Sequence, residues 1–275
     1  MQLGNYWKDK VVLVTGGSSG IGLALARLLA GRGAHVWLAA RHRVRLEAAL
    51  REVEAACSSR EQRCGFVSAD LSVPAEAAEA VSQVMQSAGV PDVVINSAGA
   101  AHPGYVQDLA LDTFRWMMDA NYFATVHVIK SVLPGMIERR SGHIINISSM
   151  AGFIGVFGYT AYSASKFAVT GFSEALRAEM KLHGIRVSLV FPPDTDTPQL
   201  AYENQFKPPE TKAVAGAARV LSAEEVAQAI LRQAARGRFL IFPGWEARLF
   251  YLLITKLPKS LVFYVMDWLA AQKPK

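Results

Sequence analysis

An apolar run at residues 11–14 (Val-Val-Leu-Val) leads directly into Thr15-Gly16-Gly17-Ser18-Ser19-Gly20-Ile21-Gly22 and then into a helical pattern over residues 21–30. No other stretch of the chain restricts the fold as strongly. A strand that is apolar on both faces must be covered on both faces. Glycines let the backbone turn tightly out of such a strand and let a ligand approach it closely. The helix that follows points unpaired N–H groups and the positive end of its dipole at the same place. Gly16, Ser18, Ser19, Gly20, Ile21 and Gly22 are therefore candidate contacts to a pyrophosphate. The spacing Gly-x-x-x-Gly-x-Gly differs from the more familiar Gly-x-Gly-x-x-Gly dinucleotide fingerprint.

The same strand-then-helix rhythm recurs along the chain. Apolar runs at 36–39, 65–68, 93–95, 143–147, 185–190 and 239–242 predict six more strands. Helical patterns lie between them, at 46–56, from Pro74 at a first helical turn, at 111–138, around Tyr162, and from Ser222 as an N-cap. Strands of this kind alternating with helices predict a Rossmann-type, doubly wound α/β fold: a seven-stranded, mostly parallel sheet with helices on both faces. Right-handed crossovers then bring every strand's C-terminal end to one edge, where ligands bind. With 275 residues, 51% of them hydrophobic and 19% charged, the chain can build such a core. We expect a nucleotide-binding domain over 1–244, with a lid at 193–220, and an apolar, basic helical extension over 245–275.

Tyr162 and Lys166 stand four residues apart in Tyr-Ser-Ala-Ser-Lys, with Ser148-Ser149 upstream. A helix puts positions i and i+4 on one face. A free phenol titrates near a pKa of about 10, and a neighbouring ammonium is expected to lower that value. A hydroxyl from the preceding strand end can polarise a carbonyl held between them, which are the parts needed to reduce a ketone or oxidise an alcohol. An NAD site requires an acidic residue at the end of the second strand. This chain has Ala39-Ala40-Arg41 there and no carboxylate before Glu47. The guanidinium of Arg41, with Arg45 a turn later, suits a 2′-phosphate, so the cofactor is expected to be NADP(H). Asp70 and Leu71 are placed to hold an adenine, Asp70 serving equally well as a helix cap. In Asn96-Ser97-Ala98-Gly99, small residues let a ribose lie against the backbone.

Several classes are disfavoured. The formal charge of +6 suits an anionic ligand, but the basic residues are dispersed and no RNA-reading motif is present, so nucleic acid is not expected as a partner. Cys57 and Cys64 match neither a zinc pair nor a redox motif, and reduced thiols are expected. The six histidines form no metal pattern. The first ten residues hold no apolar run of signal-peptide length, which points to the cytosolic side.

Taken together, Thr15-Gly-x-x-x-Gly-Ile-Gly22, Asn96-x-Ala-Gly99, Asn121, Ser149, Tyr162-x-x-x-Lys166 and the segment from Pro192 to Thr197 resemble the short-chain dehydrogenase/reductase family. The resemblance runs from Lys10 to about Phe242. It implies that Tyr162 is the general acid/base, that Lys166 binds the nicotinamide ribose and lowers the phenol's pKa, and that Ser149 orients the carbonyl. Ser148 is its neighbour, and the thirteen-residue gap to Tyr162 favours Ser149. It implies further that Asn121 anchors a proton-relay water and that Pro192, Thr195 and Thr197 close over the nicotinamide. Ser97 and Pro193 depart from the family pattern, and Pro193 lacks an N–H and has a fixed φ.

The segment from Phe191 to Pro198, with Glu203, Lys207 and the stretch 157–168, is similar to one branch, the 3-ketodihydrosphingosine reductases. That likeness implies a long-chain ketone substrate; 3-oxoacyl thioesters, steroids and retinoids remain alternatives, as does a non-catalytic nucleotide sensor. A substrate ammonium is expected to pair with one of the lid acids Asp194, Asp196, Glu203 and Glu210, Asp194 and Asp196 being the first candidates, unless these charges only solvate a loop. Beyond Trp245 the apolar runs fall short of the about 18–20 residues that span a bilayer. Aromatics mixed with Lys256, Lys259 and Lys273 suit either an interfacial element on anionic lipid or a tail packed on the fold. The family likeness also implies a homo-oligomer.

Overall fold

The computed structural model describes residues 6–215 and 219–271. Residues 1–5, 216–218 of the expected lid and 272–275 of the expected extension, Lys273 among them, lie outside the described residues. In chain order the elements are β1 (Val11–Thr15), α1 (Gly20–Ala30), β2 (His35–Ala40), α2 (Arg43–Ala55), β3 (Cys64–Ser68), α3 (Pro74–Ala88) and β4 (Val93–Asn96). There follow α4 (Leu111–Met117), a π-helical turn (Met118–Phe123), α5 (Ala124–Glu138), β5 (Gly142–Ile147), α6 (Thr160–Lys181) and β6 (Ile185–Val190). The remainder comprises β7 (Thr195–Asp196), α7 (Pro198–Glu203), α8 (Pro209–Ala215), β8 (Leu221–Ser222), α9 (Ala223–Ala235), β9 (Leu240–Ile241), α10 (Trp245–Lys256) and α11 (Lys259–Ala271).

Seven strands form one sheet in the order β3-β2-β1-β4-β5-β6-β9, and each neighbouring pair is parallel. Successive side chains alternate across it. Val12, Val14, Val93, Ile95 and Ile145 pack with α1, α2 and α9, while Leu13, Val94, Ile144 and Val187 pack with α3, α5 and α6. The strand order reverses between β1 and β4, which opens a crevice at their C-terminal ends. The last strand is shorter than its apolar run suggests, because only Leu240 and Ile241 pair with β6. Helix α2 begins three residues before the periodic pattern, where His42 takes an extended conformation and Arg43 pairs with Glu47 one turn on.

The expected single helix over 111–138 is interrupted by the π turn that carries Asn121. Such turns insert a residue into a helix and often mark functional sites. The segment expected as a lid forms β7, α7 and α8, and β7 pairs with β8 in a two-stranded ribbon. Cys57 and Cys64 are free thiols with sulfurs 3.6 Å apart.

The two C-terminal helices differ. Helix α10 seats Ala247, 2% exposed, against Val169, Leu189, Phe191 and Phe242, and the Tyr251 ring packs 4.9 Å from that of Phe242. Helix α11 buries Val262 but leaves Phe263, Tyr264 and Trp268 exposed. Among the described residues, no helix is long and apolar enough to cross a membrane.

His143, on β5, is buried with both ring nitrogens engaged. Tyr6 Oη lies 3.0 Å from Nδ1 and Ser188 Oγ lies 2.9 Å from Nε2. Burial, reinforced by the charges of Arg186 and Lys10, pulls its pKa from 6.5 down to about 3. Between these values the unfolded chain binds a proton that the folded chain refuses. His143 therefore contributes no penalty above about pH 6.5 and destabilises the fold progressively as pH falls toward 3. Urea unfolding across that window should show a shallower pH dependence for His143→Gln than for wild type; identical slopes would contradict this account.

Candidate active site

A cavity of about 1260 Å³ runs along the C-terminal edge of the sheet, from the glycine turn past Tyr162 to the wall formed by α10. At one end Thr15 closes β1, and its Oγ1 accepts from the N–H groups of Ser97 and Ala98 at 3.1 and 3.0 Å. This ties the loop after β4 to the glycine turn. Gly16 has φ +66°, and a Cβ there would lie 2.8 Å from the Ala98 backbone. A Cβ on Gly22 would lie 2.3 Å from the Gly16 carbonyl oxygen. A side chain at either position would collide with backbone and force the turn open, so only glycine lets the turn close into a cradle for a pyrophosphate beside the first turn of α1. Gly16, Ser18, Ser19, Gly20, Ile21 and Gly22 all face the cavity.

At the end of β2, Arg41, His42 and Arg45 line the same space. Asp70 and Leu71 line it as well, but Asp70 Oδ1 accepts from the Ser72 N–H at 3.0 Å and the Ser72 hydroxyl at 2.6 Å. Burial disfavours the Asp70 carboxylate, yet these two bonds and the charge of Arg41 outweigh it and hold the pKa below its ordinary value. Ala98 and Gly99 face the cavity, whereas Asn96 stands behind its wall and donates to Asn146 Oδ1 at 2.8 Å. Donor-rich, cationic and free of side-chain bulk, the cradle fits a dinucleotide with an extra ribose phosphate.

Tyr162 and Lys166 both lie on the buried face of α6. Lys166 Nζ sits 5.7 Å from the centroid of the Tyr162 ring and donates to the Ile147 carbonyl at 3.1 Å. The two adjacent serines separate. Ser148 Oγ turns into α6 and donates to the Lys166 carbonyl at 3.1 Å. Ser149 accepts from the Ala151 N–H at 3.1 Å and stands beside the phenol. Asn121 is not in the cavity wall. Its amide brackets Ala100, accepting from its N–H and donating to its carbonyl, each at 2.9 Å, and donates to Ser165 Oγ at 2.9 Å.

The electrostatics reverse one expectation. Lys166 does not bring the phenol down here. Burial raises the Tyr162 pKa, Glu203 and Asp194 raise it further, and the Ser149 hydroxyl only partly opposes them. Lys166 itself is pulled down to about 8 by burial, against the attraction of Glu203. A phenol whose pKa is raised in this way has the chemistry of a proton donor.

From the lid, Pro192, Pro193, Asp194, Thr195 and Thr197 reach the cavity. Thr197 caps α7 by accepting from the Leu200 N–H at 3.3 Å. Asp194 is held by Lys207 at 3.1 Å, so its charge is already matched. Asp196 is exposed and outside the cavity wall. Sequence reasoning passed over Tyr159, a cavity residue whose ring lies 5.5 Å from that of Tyr162. Its place three residues before Tyr162, on the same side of the helix start, was the available signal.

The sequence model of the short chain dehydrogenase family matches residues 10–208. The chain belongs to this family. It is 42% identical over 229 residues to a protein of Danio rerio named 3-dehydrosphinganine reductase, covering 83% of this chain and 69% of the relative. It is 35% identical to 3-ketodihydrosphingosine reductase of Dictyostelium discoideum, covering 87% and 76% respectively. Among solved structures, L-sorbose reductase from Gluconobacter frateurii, complexed with NADPH and L-sorbose, superposes with a TM-score of 0.75 at 26% identity, covering 86% of this chain and 95% of that one. Like other short-chain dehydrogenases, the chain is an oxidoreductase acting on a carbonyl or alcohol group.

Overpacking a tight backbone contact costs about 1–3 kcal/mol, so Gly22→Ala should weaken dinucleotide binding by about tenfold or more. Titration calorimetry, with circular dichroism to confirm a folded variant, reads the effect; unchanged affinity would refute the cradle.

Proposed function

We propose that the chain reduces the long-chain amino ketone 3-ketodihydrosphingosine to dihydrosphingosine, using NADPH. The observation that carries this reading is the shape of the cavity. Past Tyr162 it continues along an apolar wall of Leu249, Phe250 and Leu253, beside Trp245 and Ala247, which suits an alkyl chain. The names of the relatives point to the same substrate. Arg41 and Arg45, with no carboxylate at the end of β2, favour a phosphorylated ribose.

In this mechanism Gly16, Gly22 and the first turn of α1 would hold the pyrophosphate of the nucleotide, and Lys166 Nζ would orient its ribose. When bound, the nicotinamide supplies the hydride. Tyr162 Oη and Ser149 Oγ hold the substrate carbonyl oxygen, and Tyr162 gives it the proton, a contribution of typically about 10²–10⁴-fold. The raised pKa keeps that proton on Oη until the carbonyl oxygen gains charge. Apolar side chains and the lid exclude water from the reacting atoms.

The test is NADPH oxidation with 3-ketodihydrosphingosine against an acetoacetyl thioester. Wild type should turn over the amino ketone preferentially. Tyr162→Phe should lose turnover by at least about a hundredfold while binding NADPH as tightly as before. Preference for the thioester, or substantial turnover by the variant, would overturn the reading.

The apolar face of α11, where Phe263, Tyr264 and Trp268 are exposed near Lys259, supports peripheral contact with an anionic lipid surface. Exposed Phe123 on the π turn and Phe167 on α6 support association of like copies through the helices of that face. Burying two aromatic rings in lipid contributes a few kcal/mol, so Phe263→Ser with Trp268→Ser should cut co-sedimentation with anionic liposomes by about tenfold or more. Equal co-sedimentation would eliminate the lipid contact.

A further inference from the structure

The mechanism above leaves one buried carboxylate of the cavity without a task. Glu203 ends α7, is 7% exposed and lines the cavity with Tyr159 and Tyr162. Its Oε2 accepts from Tyr159 Oη at 2.5 Å, and its Oε1 accepts from Gln199 Nε2 at 2.9 Å. The ring of Tyr159, the donor to this carboxylate, lies 5.5 Å from the Tyr162 ring, centroid to centroid.

Buried carboxylates ordinarily have a cationic partner. Among the described residues, no Lys, Arg or His nitrogen lies within 4.0 Å of Glu203. The two lysines whose charges reach it direct their ammonium groups to other partners: Lys207 to Asp194 at 3.1 Å, and Lys166 to the Ile147 carbonyl. Burial consequently pushes the Glu203 pKa up, although the Tyr159 and Gln199 hydrogen bonds and the Lys207 charge oppose it.

The other carboxylates of the wall serve less well. Asp70 stands at the far end beside Arg41 and Ser72. Asp112 is exposed and paired with Arg115, and Asp119 and Glu246 are exposed. Glu203 is thus a buried carboxyl group in the wall of the site, held in place by two neutral donors and with no cation within 4.0 Å among the described residues.

We propose that Glu203 is the ammonium-binding residue of this site, pairing with the amine on the carbon next to the substrate ketone. The inference rests on the amino-ketone reading above and selects Glu203 from the lid acids expected to have this role, in place of the first candidates Asp194 and Asp196. The ketone oxygen sits on Tyr162 and Ser149, and the neighbouring ammonium pairs with the carboxylate of Glu203, which lines the same cavity. Tyr159 holds the Glu203 carboxylate toward the substrate and is a positioning residue. The amine thereby selects the ketone: a long-chain ketone without it would leave the carboxylate buried and unmatched.

The experiment compares kcat/KM for 3-ketodihydrosphingosine with that for its deamino analogue, the same chain with hydrogen in place of the ammonium. Wild type should favour the amino ketone by about tenfold or more, the range for a charged hydrogen bond. In Glu203→Gln, which keeps the shape of the side chain and its acceptor for Tyr159, the preference should collapse to about even through a raised KM for the amino ketone. A purely structural role for Glu203 would lower both substrates together and leave the ratio intact, which overturns the proposal while the amino-ketone reading stands. No turnover of the amino ketone by wild type would overturn that reading and the proposal with it. If Glu203→Gln does not fold, the wild-type ratio still decides: equal kcat/KM on the two ketones means that no carboxylate reads the amine.

Discussion

Helix α6 is useful only because it is fastened to β5 and the π turn at a fixed height. Four buried hydrogen bonds do this: Ser148 to the Lys166 carbonyl, Lys166 to the Ile147 carbonyl, Asn146 to Ser173, and Asn121 to Ser165. In an apolar interior each would leave a costly unpaired group if the helix slid or rotated by one residue. The network therefore specifies the register of α6 on the sheet, and with it where Tyr162 meets the strand edge. The glycine cradle, the lid and the cavity all take their meaning from that placement.

Once the phenol is seated, burial governs its chemistry. The cavity wall is apolar enough to raise Tyr162 and to lower Lys166, and Glu203 favours the same protonated phenol. Both shifts come from withdrawing water, and both leave a proton at Tyr162 Oη where reduction needs one. The low dielectric that makes Glu203 costly as a lone charge also makes it an effective partner for a cation.

Much of this was legible in the chain. Residues 11–22 announced a strand, a turn without side chains and a helix, and the recurrence of that unit implied the parallel sheet, because local hydrophobic period and turn chemistry are written residue by residue. Tyr162 and Lys166 were legible for the same reason, since a helix converts a spacing of four into a shared face. Other features were illegible. Nothing in the pattern over 111–138 marked a π turn, because its cause is the tertiary fit of Asn121 to Ala100 and Ser165. Asp194, Asp196 and Glu203 looked alike as lid acids, and only the folded lid separates the paired, the exposed and the buried one.

By itself, then, the amino-acid order determined the doubly wound architecture, the cradle, the cationic end of β2 and the identity of the phenol and its lysine, all of which follow from short-range spacing and local conformation. Tertiary structure alone decided that Ser148 Oγ turns into α6 while Ser149 stands beside the phenol, that Asn121 braces the backbone behind the wall, that α10 forms an apolar wall of the site, and that burial raises the phenol's pKa. Each of these depends on burial and on contacts between segments far apart in the chain, and desolvation has no signature in a list of neighbours along it.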